Sequence, residues 1–335
     1  MHEFDIIKKY FSKLSKFNKH SLELNDDVFF DKKKSLVISI DTYNQGIHFL
    51  NFKNPELVIK KIIRSSISDL ICKGVLPKYY FVSGSGNKKT FSKKNLSKIS
   101  NSLRQEQKKF GIYLCGGDTT FSNKLSFSIT SVGYSKSIIY RNRAKLYDDI
   151  YVTGNLGDSF VGLKILQNKI KTTKKIKSYF INKYFKPEIQ IQLTKELLKF
   201  ANSSIDISDG LIDDLKKMIN KQKLSFKIYE DQIPISKNLH NYLIKNNFKK
   251  LDFISNGDDY QILFTASSNK SRIIKNISKK LGVKISRIGE ITSNKTKPTI
   301  IDKKGKYLLT KYSGYKHLFW KLIIVFFSFF CIVRA

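Results

Sequence analysis

The chain reads as a two-domain protein of mixed α/β (or α+β) class, and three observations predict this. Its 335 residues suffice for two domains of ordinary size. Amphipathic helical runs alternate with short apolar runs through the first half. After a polar turn near residues 136–146, the second half repeats one device, a short strand running into an acidic glycine turn and then a helix. A composition of 41% hydrophobic and 13% aromatic residues with only 5 prolines excludes disordered, collagenous and disulfide-scaffold classes.

Taken in order, "KKKSLVISIDTYNQG" predicts a strand over 35–40 that ends in Asp41 and Thr42. In "NPELVIKKIIRSSISDLICKG", Asn54 suits an N-cap, Pro55 the first helical turn and Gly74 the stop, with Leu57, Ile63, Ile67, Leu70 and Ile71 as the apolar stripe. Asp69 then falls near the helix C-terminus, where the dipole disfavours an anion and a compensating cation or hydrogen bonds are required. "SKKNLSKISNSLRQEQKKFG" predicts a second amphipathic helix through Leu96, Ile99, Leu103 and Phe110. The run Ile112–Cys115 reads as a buried strand ending in "GGDTT", and "LSFSITSVGY" as another strand. Beyond the turn, Ile150–Thr153 is a strand, a helix starts near Gly157, "SSIDISDGLIDDL" is strand, acidic turn and helix, and "ISNGDDYQILFTAS" is acidic turn and strand.

The 62 Lys and Arg against 27 Asp and Glu give a net charge of +35. The lysines are spread along the chain rather than gathered in an arm, and no zinc-finger spacing or ribonucleoprotein motif occurs. A compositional bias therefore explains them better than a specific nucleic-acid partner, and a basic surface also suits small phosphorylated ligands. Three cysteines without pair spacing and a start without a secretion signal predict a reducing, cytoplasmic setting. The apolar run Leu322–Val333 is shorter than the ~20 residues of a membrane span, and reads as a docked segment or an extension, with peripheral membrane contact the lesser alternative.

In a chain that otherwise avoids acids, carboxylates collect beside Gly, Ser or Thr at element ends: Asp26, Asp27, Asp41, Asp69, Asp118, Asp206 and Asp209. Each alone is an ordinary turn or cap residue. Together they suit a hard cation such as Mg²⁺, which takes carboxylates plus water and phosphate oxygens. His and Cys clusters for zinc or iron are absent from the sequence. "SGSGNKKT" has the wrong glycine spacing for a P-loop and reads as a loop, and "TGNLGDSFVG" is not a dinucleotide fingerprint, although a glycine turn before a helix can hold phosphate. The combination predicts Mg–phosphate chemistry without a P-loop.

The ordered set "LNDD", "SIDT" with "GIHF", "SDL", "GGDTT", "YRNRAK" with "DIYVTGNLGDS", "IDISDGLIDDL", "GDDYQILFT", "RIGEI" and "SGYKHL" closely resembles the thiamine-monophosphate kinases of the aminoimidazole ribonucleotide synthetase-like superfamily, from about residue 3 to residue 317. The resemblance implies that superfamily's two-domain fold, divided here as residues 1–140, 141–317 and an extension 318–335 outside the match. It implies ATP-dependent phosphorylation of thiamine monophosphate to thiamine diphosphate with several Mg²⁺ ions, by a homodimer whose nucleotide sites lie near the subunit interface. The implied metal ligands are Asp27, Ser39, Asp41, Asp69, Asp118, Asp206 and Asp209. Gly117, Asp118, Arg141 and Ser208 are implied for ATP, and His48, Asp258 and Tyr315 for thiamine monophosphate. Asn25 stands where the family has Gly, and Asp258 where it has Glu. The acceptor phosphate, with a second pKa near 6, is already largely ionised at neutral pH, so no general base is expected. The competing readings are another ATP-using member of the superfamily, a basic nucleic-acid-binding protein and an inactive homologue.

Overall fold

The computed structural model describes residues 3–310 and 314–315. After the short helical segments Glu3–Ile6 and Ile7–Phe11, the first half forms strands β1 (Phe29–Asp31) and β2 (Leu36–Asn44) and helix α1 (Pro55–Cys72). Strand β3 (Pro77–Gly86), helix α2 (Lys93–Phe110) and strands β4 (Tyr113–Phe121) and β5 (Ser126–Tyr134) follow. The strands form one sheet in the order β1-β2-β5-β3-β4, antiparallel except where β3 runs parallel to β4. Local chemistry sets the helix ends. The Ser92 hydroxyl accepts the Asn95 N–H and Gly111, at φ 66°, closes α2. Pro55 opens α1 and Gly74, at φ 78°, follows it as the sequence predicts, although the Asn54 side chain makes no cap bond.

The second half comprises β6 (Asp149–Thr153), α3 (Asp158–Leu166), α4 (Lys174–Phe185), β7 (Ser203–Asp206), α5 (Leu211–Met218) and β8 (Leu224–Tyr229). It continues through α6 (Lys237–Asn246), β9 (Ile262–Ala266), α7 (Ser271–Leu281), β10 (Ile285–Ser293) and β11 (Thr299–Ile301). Its sheet runs β11-β8-β10-β6-β9-β7, and one face packs Ile150, Val152, Ile205 and Phe226 against Leu211, Leu215 and Met218 of α5. The two halves share a core. Ile59, Ile62 and Ile63 of α1 lie in one apolar cluster with Ile129 and Tyr80 of the first sheet and with Tyr184, Leu193 and Phe264 of the second half. Each such fully buried side chain contributes roughly 1.5–3 kcal/mol.

Because α1 is covered from both sides, several of its polar residues, Lys61, Arg64, Ser65, Ser66 and Ser68 among them, are interior. Arg64 makes a two-pronged pair with Glu106 of α2 (2.7 and 3.1 Å) and donates to the Pro187 carbonyl at 3.1 Å. Lys61 and Lys73 are 1% and 0% exposed.

Two expectations are corrected here. The run Ile112–Cys115 leads into a strand whose nine residues are all exposed, because β4 is the edge strand of its sheet. Ser83–Gly86 of "SGSGNKKT" belong to β3 and only the remainder turns, since β4 and β5 supply the ladder partners that hold those residues extended.

Candidate active site

The acids from both halves converge at the C-terminal end of α1. Asp41 and Ser39 lie on the face of β2 that α1 covers, because Tyr43, two residues on, donates its hydroxyl to Asp41 Oδ2 at 3.0 Å and accepts the Ser65 hydroxyl of α1 at 2.9 Å. The Ser39 hydroxyl itself donates to the Ser66 carbonyl at 3.4 Å. Asp206, at the end of β7, accepts the Ser68 hydroxyl at 2.5 Å. Burial pushes the Asp69 carboxyl well above the usual range, and the charges of Asp41 and Asp206 push it further. Asp206 is raised for the same first reason, with Asp41 adding to it and the Ser68 hydrogen bond opposing. Carboxylates that raise one another's proton affinity in this way favour a cation nearby, but among the described residues the oxygens of three acids lie within reach of a single ion at Asp209, Asp213 and Asp214, not at Asp41, Asp69 and Asp206.

Two flanking groups carry their own cations. Lys73, one turn beyond Asp69, places Nζ 2.7 Å from Asp26 Oδ1, 3.0 Å from Asp27 Oδ2 and 2.9 Å from the Ser204 carbonyl. Burial alone would lower its proton affinity, but Asp26 holds it above the ordinary lysine value. Its charge also opposes, without cancelling, the rise at Asp69 near the helix end. Arg141 donates Nε to Asp27 Oδ2 at 3.0 Å, pairs Nη2 with Oδ1, and gives its backbone N–H to Asp26 at 2.9 Å. On the other flank, Lys217 of α5 pairs with Asp209 and lies 3.2 Å from Asp213 and 3.1 Å from Asp214. Asp214 caps the start of α5 by accepting the N–H groups of Asp209 and Gly210 at 3.0 Å, and burial, with the charges of Asp209 and Asp206, raises its pKa to about 7 against the pull of Lys217.

The turns "SDG" and "NGDD" close the site by packing backbone on backbone. A Cβ on Gly210 would meet the Ser255 carbonyl at 2.4 Å and one on Gly257 the Ser208 carbonyl at 2.0 Å, at φ of 132° and 72°. The Asp258 N–H donates to the Ser208 carbonyl at 2.8 Å, and its carboxylate pairs with Lys61 at 2.7 Å. Its neighbour Asp259 faces elsewhere and accepts the Gly157 N–H at 2.8 Å. The glycine turn ahead of α3, which the sequence offers as a phosphate cradle, is therefore already occupied by a carboxylate.

His48 accepts the Asn44 N–H on Nδ1 at 2.9 Å and packs edge-on against Tyr43. The Tyr315 N–H donates to the Asp209 carbonyl at 3.0 Å, and burial and the charges of Asp209 and Asp258 raise its hydroxyl pKa. Beside Tyr315 and Asp209 opens a cavity of about 840 Å³, lined also by Lys8, Lys13, Lys16 and Lys216.

The structure thus gathers Asp27, Ser39, Asp41, Asp69, Arg141, Asp206, Ser208, Asp209, Asp258, Tyr315 and, beside Tyr43, His48. It does not gather Gly117 and Asp118 with them in one chain. The register Asp41–Ile129–Val82–Gly117 puts Gly117 three strands from Asp41, about 14 Å at ~4.8 Å per strand. Asp118 belongs to the next rung, Thr42–Ser128–Ser83–Asp118, whose side chains point to the uncovered face of the sheet. Sequence reasoning missed Lys61, Lys73, Asp214 and Lys217. For Asp214 the second acid pair in "LIDDL" was a usable signal, whereas nothing marks the three lysines among 62 basic residues.

Residues 25–135 match the family model for the N-terminal domain of AIR synthase related proteins, and residues 148–301 the model for the C-terminal domain. The thiamine-monophosphate kinase of Buchnera aphidicola subsp. Schizaphis graminum is 35% identical over 94% of this chain and 98% of its own length. That of Escherichia coli O157:H7 is 30% identical over the same shares. Among solved structures, AaThiL complexed with AMPPCP and TMP superposes with a TM-score of 0.82 at 26% identity, covering 95% of this chain and 97% of that one. The hydrogenase maturation protein HypE of E. coli, at 16% identity and a TM-score of 0.65 over 82% of this chain and 84% of its own, shares the fold. The chain belongs to the thiamine-monophosphate kinase family of the AIR synthase related proteins.

Proposed function

We propose that this protein transfers the γ-phosphoryl group of ATP to the phosphate of thiamine monophosphate, giving thiamine diphosphate. Identity to thiamine-monophosphate kinases along nearly the whole chain carries this reading, and the acid cluster beside a lysine-lined cavity supports it. Incubation with ATP, Mg²⁺ and thiamine monophosphate should yield thiamine diphosphate; a folded protein that forms none refutes it.

The obstacle to this reaction is charge. Two unit charges at 4 Å repel by about 4 kcal/mol at an effective dielectric of 20, and both reactants carry more than one. Arg141 leaves Asp27 for the nucleotide phosphates, where Ser208, at the turn ahead of α5, also meets them; Gly117 and Asp118, which the single chain holds apart from that turn, reach the phosphates from a second copy of the chain. Asp27, Ser39, Asp41, Asp69, Asp118, Asp206 and Asp209 are the residues that would hold Mg²⁺, which when bound would supply positive charge to the phosphate oxygens. His48, Asp258 and Tyr315 hold thiamine monophosphate, the tyrosine ring stacking on the cationic heterocycle for roughly 0.5–2 kcal/mol. No side chain is assigned as a base, since the attacking oxygen is already ionised.

The working unit in this reading is a homodimer. The uncovered face of the first sheet exposes Ile40, Phe81, Tyr113 and Tyr134, at 69%, 40%, 59% and 52%. A patch of this kind on a stable domain marks an interface, and Asp118 lies on the same face. The nucleotide site then adjoins the subunit boundary. Sedimentation of an Ile40→Asp variant as a monomer beside a dimeric wild type would support this; two monomers would remove it. The division near residue 140 falls between the strands of the two sheets, and a cytoplasmic setting accords with the free thiols of Cys72 and Cys115. Among the described residues no helix is long and apolar enough to cross a membrane; the tail 318–335 lies outside them.

A further inference from the structure

We propose that Lys61 is a positioning residue for the substrate, its buried ammonium fixing Asp258 so that one carboxylate oxygen is presented to thiamine monophosphate. The inference rests on the reading of Asp258 as a substrate contact.

Lys61 lies in the middle of α1, two turns before Asp69, and is 1% exposed. Its Nζ is 2.7 Å from Asp258 Oδ1 and 3.7 Å from the centroid of the Tyr184 ring, with Tyr260 at 6.0 Å. The Tyr260 hydroxyl donates to the same Oδ1 at 3.0 Å. One ion pair and one hydrogen bond thus meet at the same oxygen, and among the described residues Oδ2 accepts no hydrogen bond. That side chain is 27% exposed, so Oδ2 is the oxygen left for a ligand. The Tyr184 hydroxyl, in turn, donates to the His48 carbonyl at 3.1 Å. One ammonium therefore touches Asp258 directly and the His48 loop through the ring beneath it, and these are two of the three residues assigned to the substrate.

Stability does not explain the charge. A buried ammonium carries a desolvation cost of several kcal/mol, and an apolar side chain of similar length would fill the space between Tyr184 and Tyr260 without it. Burial lowers the proton affinity of Lys61, and the charge of Asp258 opposes that lowering. Asp258 also needs holding. It sits at φ 62°, a region that aspartate adopts at some cost, and is shorter than the glutamate expected there. A short arm on a strained turn, pinned by a lysine from the other half of the chain, keeps a fixed reach where an unpinned one would not.

The test compares Lys61→Met, Lys61→Arg, Asp258→Asn and the Lys61→Met/Asp258→Asn double variant in steady-state kinetics with ATP, Mg²⁺ and thiamine monophosphate. Lys61→Met should raise KM for thiamine monophosphate about tenfold, through the loss of the ion pair that holds Asp258, with kcat and KM for ATP within about twofold of wild type. Lys61→Arg should recover most of that loss, and the double variant should be no worse than Asp258→Asn alone. If Asp258→Asn raises KM but Lys61→Met does not, the positioning role is overturned while the substrate reading stands. If Asp258→Asn leaves KM unchanged, the substrate reading fails and the inference with it. Equal damage to kcat and both KM values in Lys61→Met overturns it in favour of a structural role. Should Lys61→Met not fold, Lys61→Gln, which keeps a polar donor, takes its place with the same criteria.

Discussion

Replacement of Lys73 by methionine tests whether the acid cluster is held together by the protein's own cations. In the wild type, Nζ, on a fully buried lysine, satisfies Asp26 Oδ1, Asp27 Oδ2 and the Ser204 carbonyl at 2.7, 3.0 and 2.9 Å. Methionine fills the space but leaves two carboxylates without that ammonium, and removing one partner of a buried pair costs about 3–5 kcal/mol. Partial compensation remains, because Arg141 keeps Asp27, while the Asp27 and Arg141 backbone N–H groups keep Asp26. The expected loss is therefore at the lower end, about 3 kcal/mol, or a fall in Tm of about 6–12 °C at 2–4 °C per kcal/mol. Calorimetry in EDTA should show the full fall, and excess Mg²⁺ should recover part of it, since a divalent cation can supply the charge that Asp26 and Asp27 have lost. A Tm within about 2 °C of wild type in EDTA would refute the view that Lys73 stabilises the cluster. A full fall that Mg²⁺ leaves untouched would refute Asp27 as a metal ligand.

Three further outcomes follow from the site. Asp118→Asn should lower kcat by about 10–100-fold with an unchanged circular dichroism spectrum and Tm, since the residue is exposed and, among the described residues, its side chain bonds only the Thr119 N–H; turnover at the wild-type rate removes it from the metal set. Tyr315→Ala should raise KM for thiamine monophosphate about 2- to 30-fold, the range of a cation–π contact of 0.5–2 kcal/mol, and an unchanged KM takes the ring out of the site. Burial raises the pKa of Asp158 despite hydrogen bonds from Ser236 and Tyr179. The native state then holds this proton more tightly than the unfolded state, and the stability it gives is lost as pH rises from about 4 through the raised native value. Urea denaturation across that window should show a shallower pH slope for Asp158→Asn, and equal slopes would contradict the assignment.

How far the sequence reveals these features depends on the range of the interaction behind each. Helix α1 is legible because Pro55, the Ile and Leu stripe and Gly74 act within a turn or two of themselves. The acids are legible because a carboxylate is rare in this chain, so their recurrence at Asp41, Asp69 and Asp206 stands out from the background. Lys61 and Lys73 are illegible for the opposite reason. Their meaning comes from Asp258, 197 residues away, and from Asp26, 47 residues back, and each looks like one more solvated lysine on a helix. The strand after Ile112 misleads in the same way. Its apolar residues predict burial, but in the single chain they lie on an edge that only another surface can cover. For that reason too, no spacing argument could show that Asp118 faces away from Asp41.

Helix α1 also sets the geometry of the proposed reaction. Lys61 at the substrate end and Asp69 at the metal end are eight residues apart on one rigid helix, about 12 Å at 1.5 Å per residue. Both point into partners supplied by the second half, Lys61 to Asp258 and Asp69 towards Asp206. The helix is buried between the two sheets and tied to α2 by the Arg64–Glu106 pair, so that span does not change unless the shared core opens. A ligand whose cationic ring is fixed at Asp258 must therefore deliver its phosphate at a set distance, to the place where Asp41, Asp69 and Asp206 gather charge. In the proposed reaction, where no base is assigned, positioning of that kind is what the helix would contribute to the transfer. It also predicts that shortening the ligand between ring and phosphate should cost kcat more than KM, because binding at Asp258 survives while alignment at Asp69 is lost. An analogue shortened by one methylene that retains the wild-type kcat would show that α1 does not act as the ruler.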